Sequence, residues 1–152
     1  QQEAFDAIEP PWPVGRAVWA VGATELNGEQ VDAVARLVTG LDPAADVLVS
    51  GLRRGTELVA AERALQQGIR VAAVLPFPDP AERWAPADKA RFEAVLEHAD
   101  WVVVLPGEPA RPGKAVEARN GWISGHVVGA LVVGDPQLEA DLDEAGLSVL
   151  SG

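Results

Sequence analysis

The chain has 152 residues, enough for one domain with a substantial core, and its hydrophobic share of 48% argues against wholesale disorder. Twelve basic against 23 acidic side chains give a formal charge of -11, a field that disfavours nucleic-acid phosphates and anionic membranes as partners. Cysteine is absent, which excludes disulfides and thiolate chemistry, and two histidines, His98 and His126, are too few for a His-rich metal cage.

Residues 1–15, with Pro10, Pro11 and Pro13 around Trp12, read as an extended arm with Trp12 tucked onto a domain formed by residues 16–152. RAVWAV from Arg16 to Val21 gives a first strand that ends in the turn Gly22-Ala23-Thr24. Asn27 and Gln30 have the spacing of a capping box, and Val31, Val34, Val38 and Leu41 mark the buried stripe of the helix behind it. Val47 to Val49 is a continuous apolar run, as expected for a strand covered on both faces. Thr56 is expected to cap the next helix, with Leu58, Ala61 and Leu65 inward and Gly68 as its C-terminal stop.

A third strand is expected over Ile69–Phe77, closed by Pro76 and Pro78, and then a helix opening near Pro86 with Ala90, Phe92, Val95, Leu96 and Ala99 on its apolar side. Asp100–Leu105 (DWVVVL) is the most strand-like segment of all. The loop PGEPARPG leads into a helix of roughly Lys114–Gly125, followed by a strand over Val128–Gly134. Pro136 then suits the first position of a helix with Leu138, Leu142 and Ala145 inward, and Leu147–Leu150 forms a short last strand. Strands alternating with helices predict an α/β fold: a single doubly wound Rossmann-like domain, with a mostly parallel sheet of five to six strands and helices on both faces.

Residues Asp46–Leu65 combine a buried strand, a glycine-rich turn with two arginines, and an amphipathic helix. Gly51 and Gly55 bracket that turn, where the backbone needs positive φ or close approach. Backbone N–H groups at the helix start, beside Arg53 and Arg54, suit an anion; the alternative is a plain βα turn with solvated arginines. Arg53, Arg54, Arg83, Arg111, Lys114 and Arg119 all fall in or near segments that follow predicted strands, and therefore at the edge where open α/β sheets bind ligands.

These pieces, in this order, resemble the SLOG superfamily of Rossmann-like domains, and most closely its YpsA-like group. The carriers are Ser50-Gly51-Leu52 with Gly55, Ala60-Ala61-Glu62, Ala73-Val74-Leu75-Pro76-Phe77 with Glu82-Arg83-Trp84, Ala99-Asp100, and Arg119-Asn120 with Trp122. The resemblance covers nearly the whole chain from Arg16 onward. It implies a pocket for a nucleotide or nucleotide derivative, such as a phosphorylated nucleoside or an ADP-ribose-like molecule, at the carboxyl edge of the sheet. Lining residues would be Gly22, Ala23, Thr24, Ser50, Gly51, Arg53, Arg54, Gly55, Thr56, Glu57, Phe77, Trp84, Arg119, Asn120 and Gly134. Gly51, Gly55 and the Thr56 N–H would approach phosphate, Arg119 would fork onto a second phosphate, and Phe77 or Trp84 would stack on a base or simply pack under a loop.

The resemblance also extends to phosphoribohydrolases of the "lonely guy" family and to DNA-processing Smf proteins. The former carry P-G-G-x-G-T-x-x-E where this chain reads Val133-Gly134-Asp135-Pro136-Gln137-Leu138-Glu139, and YpsA-like relatives have a Gly-Gly-Thr turn there. The glycine run is missing and Pro136 lacks an N–H, so a non-catalytic binder is the leading expectation, with Glu139 and Arg119 as the candidate catalytic residues of a hydrolase. A DNA-processing role is disfavoured by the charge. His98 suits a helix end, and His126 either reaches the pocket or caps its helix.

No cofactor is required by this reading and nothing in the sequence specifies Mg2+. No apolar run approaches the ~20 residues that span a bilayer and no leader is visible, so a cytoplasmic protein is expected, with the apolar Trp122–Ile123 helix as a candidate face for homo-oligomers.

Overall fold

The computed structural model describes residues 12–152; Pro10, Pro11 and the rest of the expected arm before Trp12 lie outside the described residues. Six strands and five helices alternate: β1 Arg16–Gly22, α1 Gly28–Thr39, β2 Asp46–Ser50, α2 Thr56–Gln66, β3 Arg70–Leu75, α3 Pro86–His98, β4 Trp101–Val104, α4 Pro112–Ser124, β5 Gly129–Val133, α5 Pro136–Glu144 and β6 Ser148–Ser151. All strands are parallel, in the order β4-β3-β2-β1-β5-β6. The chain steps outward from β1 to β4, returns to the far side of β1 as β5, and continues outward to β6.

Right-handed crossovers place helices on opposite faces when the direction of travel reverses. Accordingly α1, α2 and α3 cover one face, where Val34, Leu58, Ala61 and Phe92 pack on Leu48, Ala73 and Leu131. The second face carries α4 and α5, with Ile123 and Leu142 against Trp19, Val49, Val74 and Val132. In β2, Leu48 faces the first layer and Val47 and Val49 the second, all fully buried, which is why the segment reads as an unbroken apolar run. Among the described residues no helix is long and apolar enough to cross a membrane.

Local signals behave largely as expected. The Asn27–Gln30 capping box forms with both bonds at 2.9 Å, and Gly68 follows α2 with φ +75°. Asp135 accepts the Leu138 N–H at the start of α5, with Pro136 in its first turn. Trp12 rests on the second layer, edge-on to Trp122 at 5.2 Å and to His126 at 5.6 Å.

Three expectations are corrected. The cap of α2 is Gly55, not Thr56, whose hydroxyl turns to neighbouring loops. Ala90 is exposed because α3 spreads few apolar side chains over a weakly defined stripe, and Ala145 is exposed because α5 ends before it and it serves as the C-cap. The DWVVVL segment forms the fourth strand as expected and lies at the edge of the sheet, with Val102 39% and Val104 47% exposed. Trp122 and Ile123 are not a free apolar face: Ile123 is fully buried, and Trp122 is covered by Trp12 and stacked on His126.

Candidate functional site

Topology directs attention to the loops after β1 and β5, where the winding reverses and open α/β sheets form their crevice. Here the chain itself fills that crevice. The Ala23 N–H donates to the Val133 carbonyl at 2.9 Å, and Gly134 packs its Cα toward Ala23 and Gln30. Thr56 adds three bonds: its N–H donates to the Ala23 carbonyl at 3.0 Å, and its hydroxyl lies 3.0 Å from that oxygen and 3.3 Å from the Val133 carbonyl. Gly55, at φ +88°, is pressed against Ala23 and Thr24 so closely that any Cβ would overlap them. The first amide of α2 is therefore taken by the protein, and Gly22, Ala23, Thr56 and Gly134 form the brace between β1, β5 and α2.

One strand over, at the carboxyl end of β2, the geometry is different. Ser50 is buried; its hydroxyl donates to the Glu57 carbonyl at 2.8 Å and accepts the Leu52 N–H at 3.0 Å. That turn holds Leu52, fully buried, at φ +60°, a backbone region that costs a β-carbon-bearing residue about 1–3 kcal/mol. Among the described residues, the following N–H groups of Arg53, Arg54 and Gly55 have no hydrogen-bond partner.

Beneath the turn lies a buried ion pair joining the two helical layers. Arg119, reaching from α4 on the second face, and Glu57, in the first turn of α2, are 0% and 1% exposed. Arg119 Nη2 stands 3.3 Å from Glu57 Oε1 and 3.4 Å from Oε2, while Nη1 donates to the Gly51 carbonyl at 3.3 Å. Oε1 lies within reach yet without hydrogen-bond geometry, and it has no other partner. Asn120 orients the guanidinium, accepting from Nε at 3.1 Å and Nη2 at 2.7 Å. The approach requires Gly51: a Cβ there would overlap the guanidinium. Burial pushes the Arg119 pKa below its ordinary value; Glu57 opposes that shift and the like charge of Arg53 adds to it.

Two neighbouring cavities with four lining residues in common open beside this pair. The inner one, about 170 Å3, is lined by Gly51, Arg53, Arg119, Phe77, Trp84, Phe92, Val116 and the prolines 76, 80 and 112. The outer one, about 680 Å3, shares Phe77, Pro80, Trp84 and Pro112 and adds Pro78, Asp79, Glu82, Arg83, Pro109 and Ala110. Trp84 is half-buried and meets Phe92 edge-on at 5.4 Å. Two guanidinium groups thus line the inner cavity among otherwise apolar walls, one of them paired with the buried Glu57, and the outer cavity adds Arg83, Asp79 and Glu82.

The expected residues are not all gathered in one place. Gly51, Arg53, Phe77, Trp84 and Arg119 share the inner cavity; Thr24, Arg54 and Gly55 line a separate groove along α2, while Ser50, Glu57 and Asn120 hold the pair and the turn in position. Arg111 and Lys114 border a third hollow with Glu108 and Glu117, so the cations after the strands do not converge. Glu139 opens α5 after β5, with β1 standing between that strand and β2. His126 stacks on Trp122 at 3.8 Å at the opposite edge of the sheet and does not reach the cavity; His98 lies at the end of α3, its Nδ1 2.9 Å from the Ala94 carbonyl. Pro76, Pro80, Pro112, Phe92 and Val116 are lining residues that sequence reasoning missed, although the proline-rich loops on either side were a usable signal. Among the described residues no group of three or more His, Asp or Glu side chains is placed to hold a metal ion.

No family model matches the chain. The chain is 33% identical over 110 residues to the UPF0398 protein YpsA of Bacillus subtilis, which takes in 68% of this chain and 61% of that protein. It is 32% identical over 98 residues to a UPF0398 protein of Bacillus velezensis, covering 61% of this chain and 53% of the relative. The chain thus spans little more than half the length of the curated relatives it matches. Among solved structures it is similar to DNA processing protein A (DprA) from Streptococcus pneumoniae, with a TM-score of 0.67 and 21% identity over 91% of this chain and 50% of that one. The Moco carrier protein of Chlamydomonas rheinhardtii matches with a TM-score of 0.51 and 16% identity, over 89% of this chain and 88% of that one. At these identities the structural likeness concerns the fold alone.

Proposed function

Proceeding from a YpsA-like, SLOG-type chain with a Rossmann-like sheet, we propose that the protein binds a phosphorylated nucleoside, phosphate first, in the cavity beside Arg53 and Arg119. The observation that carries this reading is Arg53, which lines that cavity and has no ion-pair partner among the described residues. Glu57 balances Arg119, while Arg53 faces the inner cavity's walls of proline, phenylalanine and tryptophan; Arg83, Asp79 and Glu82 line only the outer cavity. An unbalanced cation in a low-dielectric hollow is stabilised by an incoming anion. Arg53, half-buried and beside the unpartnered N–H groups of its own turn, supplies the direct charge-assisted bonds; the fully buried Arg119 adds field and shape. Phe77 and Trp84, shared by both cavities, flank the path a base would take outward.

Thermal unfolding in the presence of AMP and other nucleoside monophosphates tests the reading. At a hundredfold excess over the dissociation constant, stabilisation of about 2.7 kcal/mol is expected, and Arg53→Ala removes most of it. No shift at millimolar ligand with any nucleotide overturns the proposal. Cleavage of the ligand is not part of it, since Glu139 lies beyond β1 and the β5 loop is folded against Ala23; accumulation of free base on prolonged incubation would restore the hydrolase reading. DNA is the weaker partner, because the formal charge is -11 and the cations are divided among separate hollows.

A further inference from the structure

Apart from the cavity beside Arg53, a groove of about 530 Å3 runs along α2, with residues of α1 and α3 on its other sides. One wall is a single face of α2: Gly55 at the cap, then Val59, Glu62, Arg63 and Gln66. That spacing keeps the wall on one side of the helix for three turns, roughly 16 Å. Leu26, Val31 and Val59 are half-buried and give the groove an apolar floor. Around it stand Arg54, Arg63 and Arg91 against Glu62 and Asp88, so the groove is locally positive on a chain of formal charge -11. These charges are unevenly engaged. Arg91 is committed to Glu62 through bonds of 2.7 and 2.9 Å, whereas Arg54 stands 3.7 Å from Asp88 and is 55% exposed. Arg63 has no ion-pair partner among the described residues.

We infer that this groove docks an extended acidic segment of another protein, with one carboxylate on Arg54, one on Arg63 and an apolar side chain between them on Val59. Charge complementarity selects the acids, and length selects the chain. Arg54 and Arg63 are separated by roughly 13 Å of helix rise, so a small anion reaches one of them but not both. An extended peptide covers that distance in about four residues at ~3.3 Å each. Its side chains at i, i+2 and i+4 share one face, which sets acid, apolar residue and acid over Arg54, Val59 and Arg63 in turn. Each guanidinium then makes a charge-assisted bond, and the floor of Leu26, Val31 and Val59 buries the middle side chain. The acidity of the rest of the chain does not prevent this, because repulsion between exposed charges is largely screened beyond about 8 Å at physiological ionic strength. The groove and the inner cavity have no lining residue in common, so this surface stands apart from the nucleotide reading.

Selection from a phage-displayed library of random heptapeptides tests the inference. Enriched peptides are expected to carry two Asp or Glu residues four apart, with Leu, Ile or Val midway. In isothermal titration at physiological salt, the affinity of the best such peptide falls about tenfold in Arg54→Ala and about tenfold in Arg63→Ala, the loss of one charge-assisted contact each. Binding disappears in the charge reversal Arg54→Glu/Arg63→Glu, and thermal unfolding confirms that each variant is folded. Enrichment of no peptide, or of peptides without the acid–apolar–acid pattern, overturns the inference. So does binding that survives the double charge reversal. Displacement of the peptide by a single-stranded oligonucleotide would assign the groove to nucleic acid and overturn it equally.

Discussion

The guanidinium of Arg119 and the carboxylate of Glu57 meet 3.3 Å apart inside the protein, each brought from a different helical layer over the end of β2. A buried pair at this separation recovers only part of its desolvation, so its contribution is visible mainly when one partner is removed. Arg119→Met or Glu57→Gln alone is expected to destabilise by about 3–5 kcal/mol in urea unfolding. The double variant Glu57→Leu/Arg119→Met recovers much of that loss while losing the ligand response. Single variants with the stability of the parent would show that the pair is not what holds the layers in register.

Gly51 is tied to that pair by space alone. A Cβ placed there overlaps Arg119 and lies 2.5 Å from Glu57 Oε1, and neither group has room to withdraw. Gly51→Ala therefore lowers the melting temperature sharply, and the effect shrinks in an Arg119→Met background. Additive effects would count against the steric origin, because residues sharing one contact are not independent.

Thr56→Val tests the brace between β1, β5 and α2. The hydroxyl bonds to the Ala23 and Val133 carbonyls are lost, yet each oxygen keeps a backbone donor, Thr56 N–H and Ala23 N–H respectively. The expected loss is accordingly about 1 kcal/mol, and Thr56→Ser retains the parent stability more closely. A drop of several kcal/mol would mean that the valine methyl forces the two loops apart.

Acid unfolding should report on the amino edge. Asp46 is the register partner of Arg16, and the hydrogen bond from the Arg16 guanidinium, assisted by the Asp42 N–H at 2.7 Å, holds its carboxyl below the usual range against the effect of burial. Because folding lowers this pKa, the stabilisation is complete above the unfolded value of about 4 and is lost as pH falls through the folded value. Stability followed by denaturant unfolding between about pH 5 and pH 2 should decline less steeply in Asp46→Asn than in the parent chain. Arg16 is mostly exposed, so the difference will be modest and reduced by salt.

Periodicity and capping chemistry made most elements legible in the sequence: Val47–Val49 was a strand because both its faces are covered, and Asn27 with Gln30 closed a capping box as written. Neighbourhood was not legible. DWVVVL is apolar enough for the middle of a sheet, and only the order of winding puts it at the edge. Arg119 sits in a helix with weak amphipathicity, and an arginine there is solvated unless a carboxylate from elsewhere meets it. That Glu57 does so is settled 62 residues away. For the same reason Thr56, a credible cap by its local sequence, spends its hydroxyl on two loops that sequence distance hides. Arg53 and Arg54 were recognised as neighbours, whereas their division between two hollows is a property of the folded turn.

Trp12 gives the molecule a polarity useful at the bench. It is anchored on Trp122 and His126, beside the amino ends of β1 and β5, whereas the cavity beside Arg53 opens past the carboxyl end of β2. A dye, affinity handle or surface tether attached through Val14→Cys, at an exposed position beside Trp12, starts from the pole facing away from the cavity, so a chip-bound sample prepared in that orientation presents its opening to the flow.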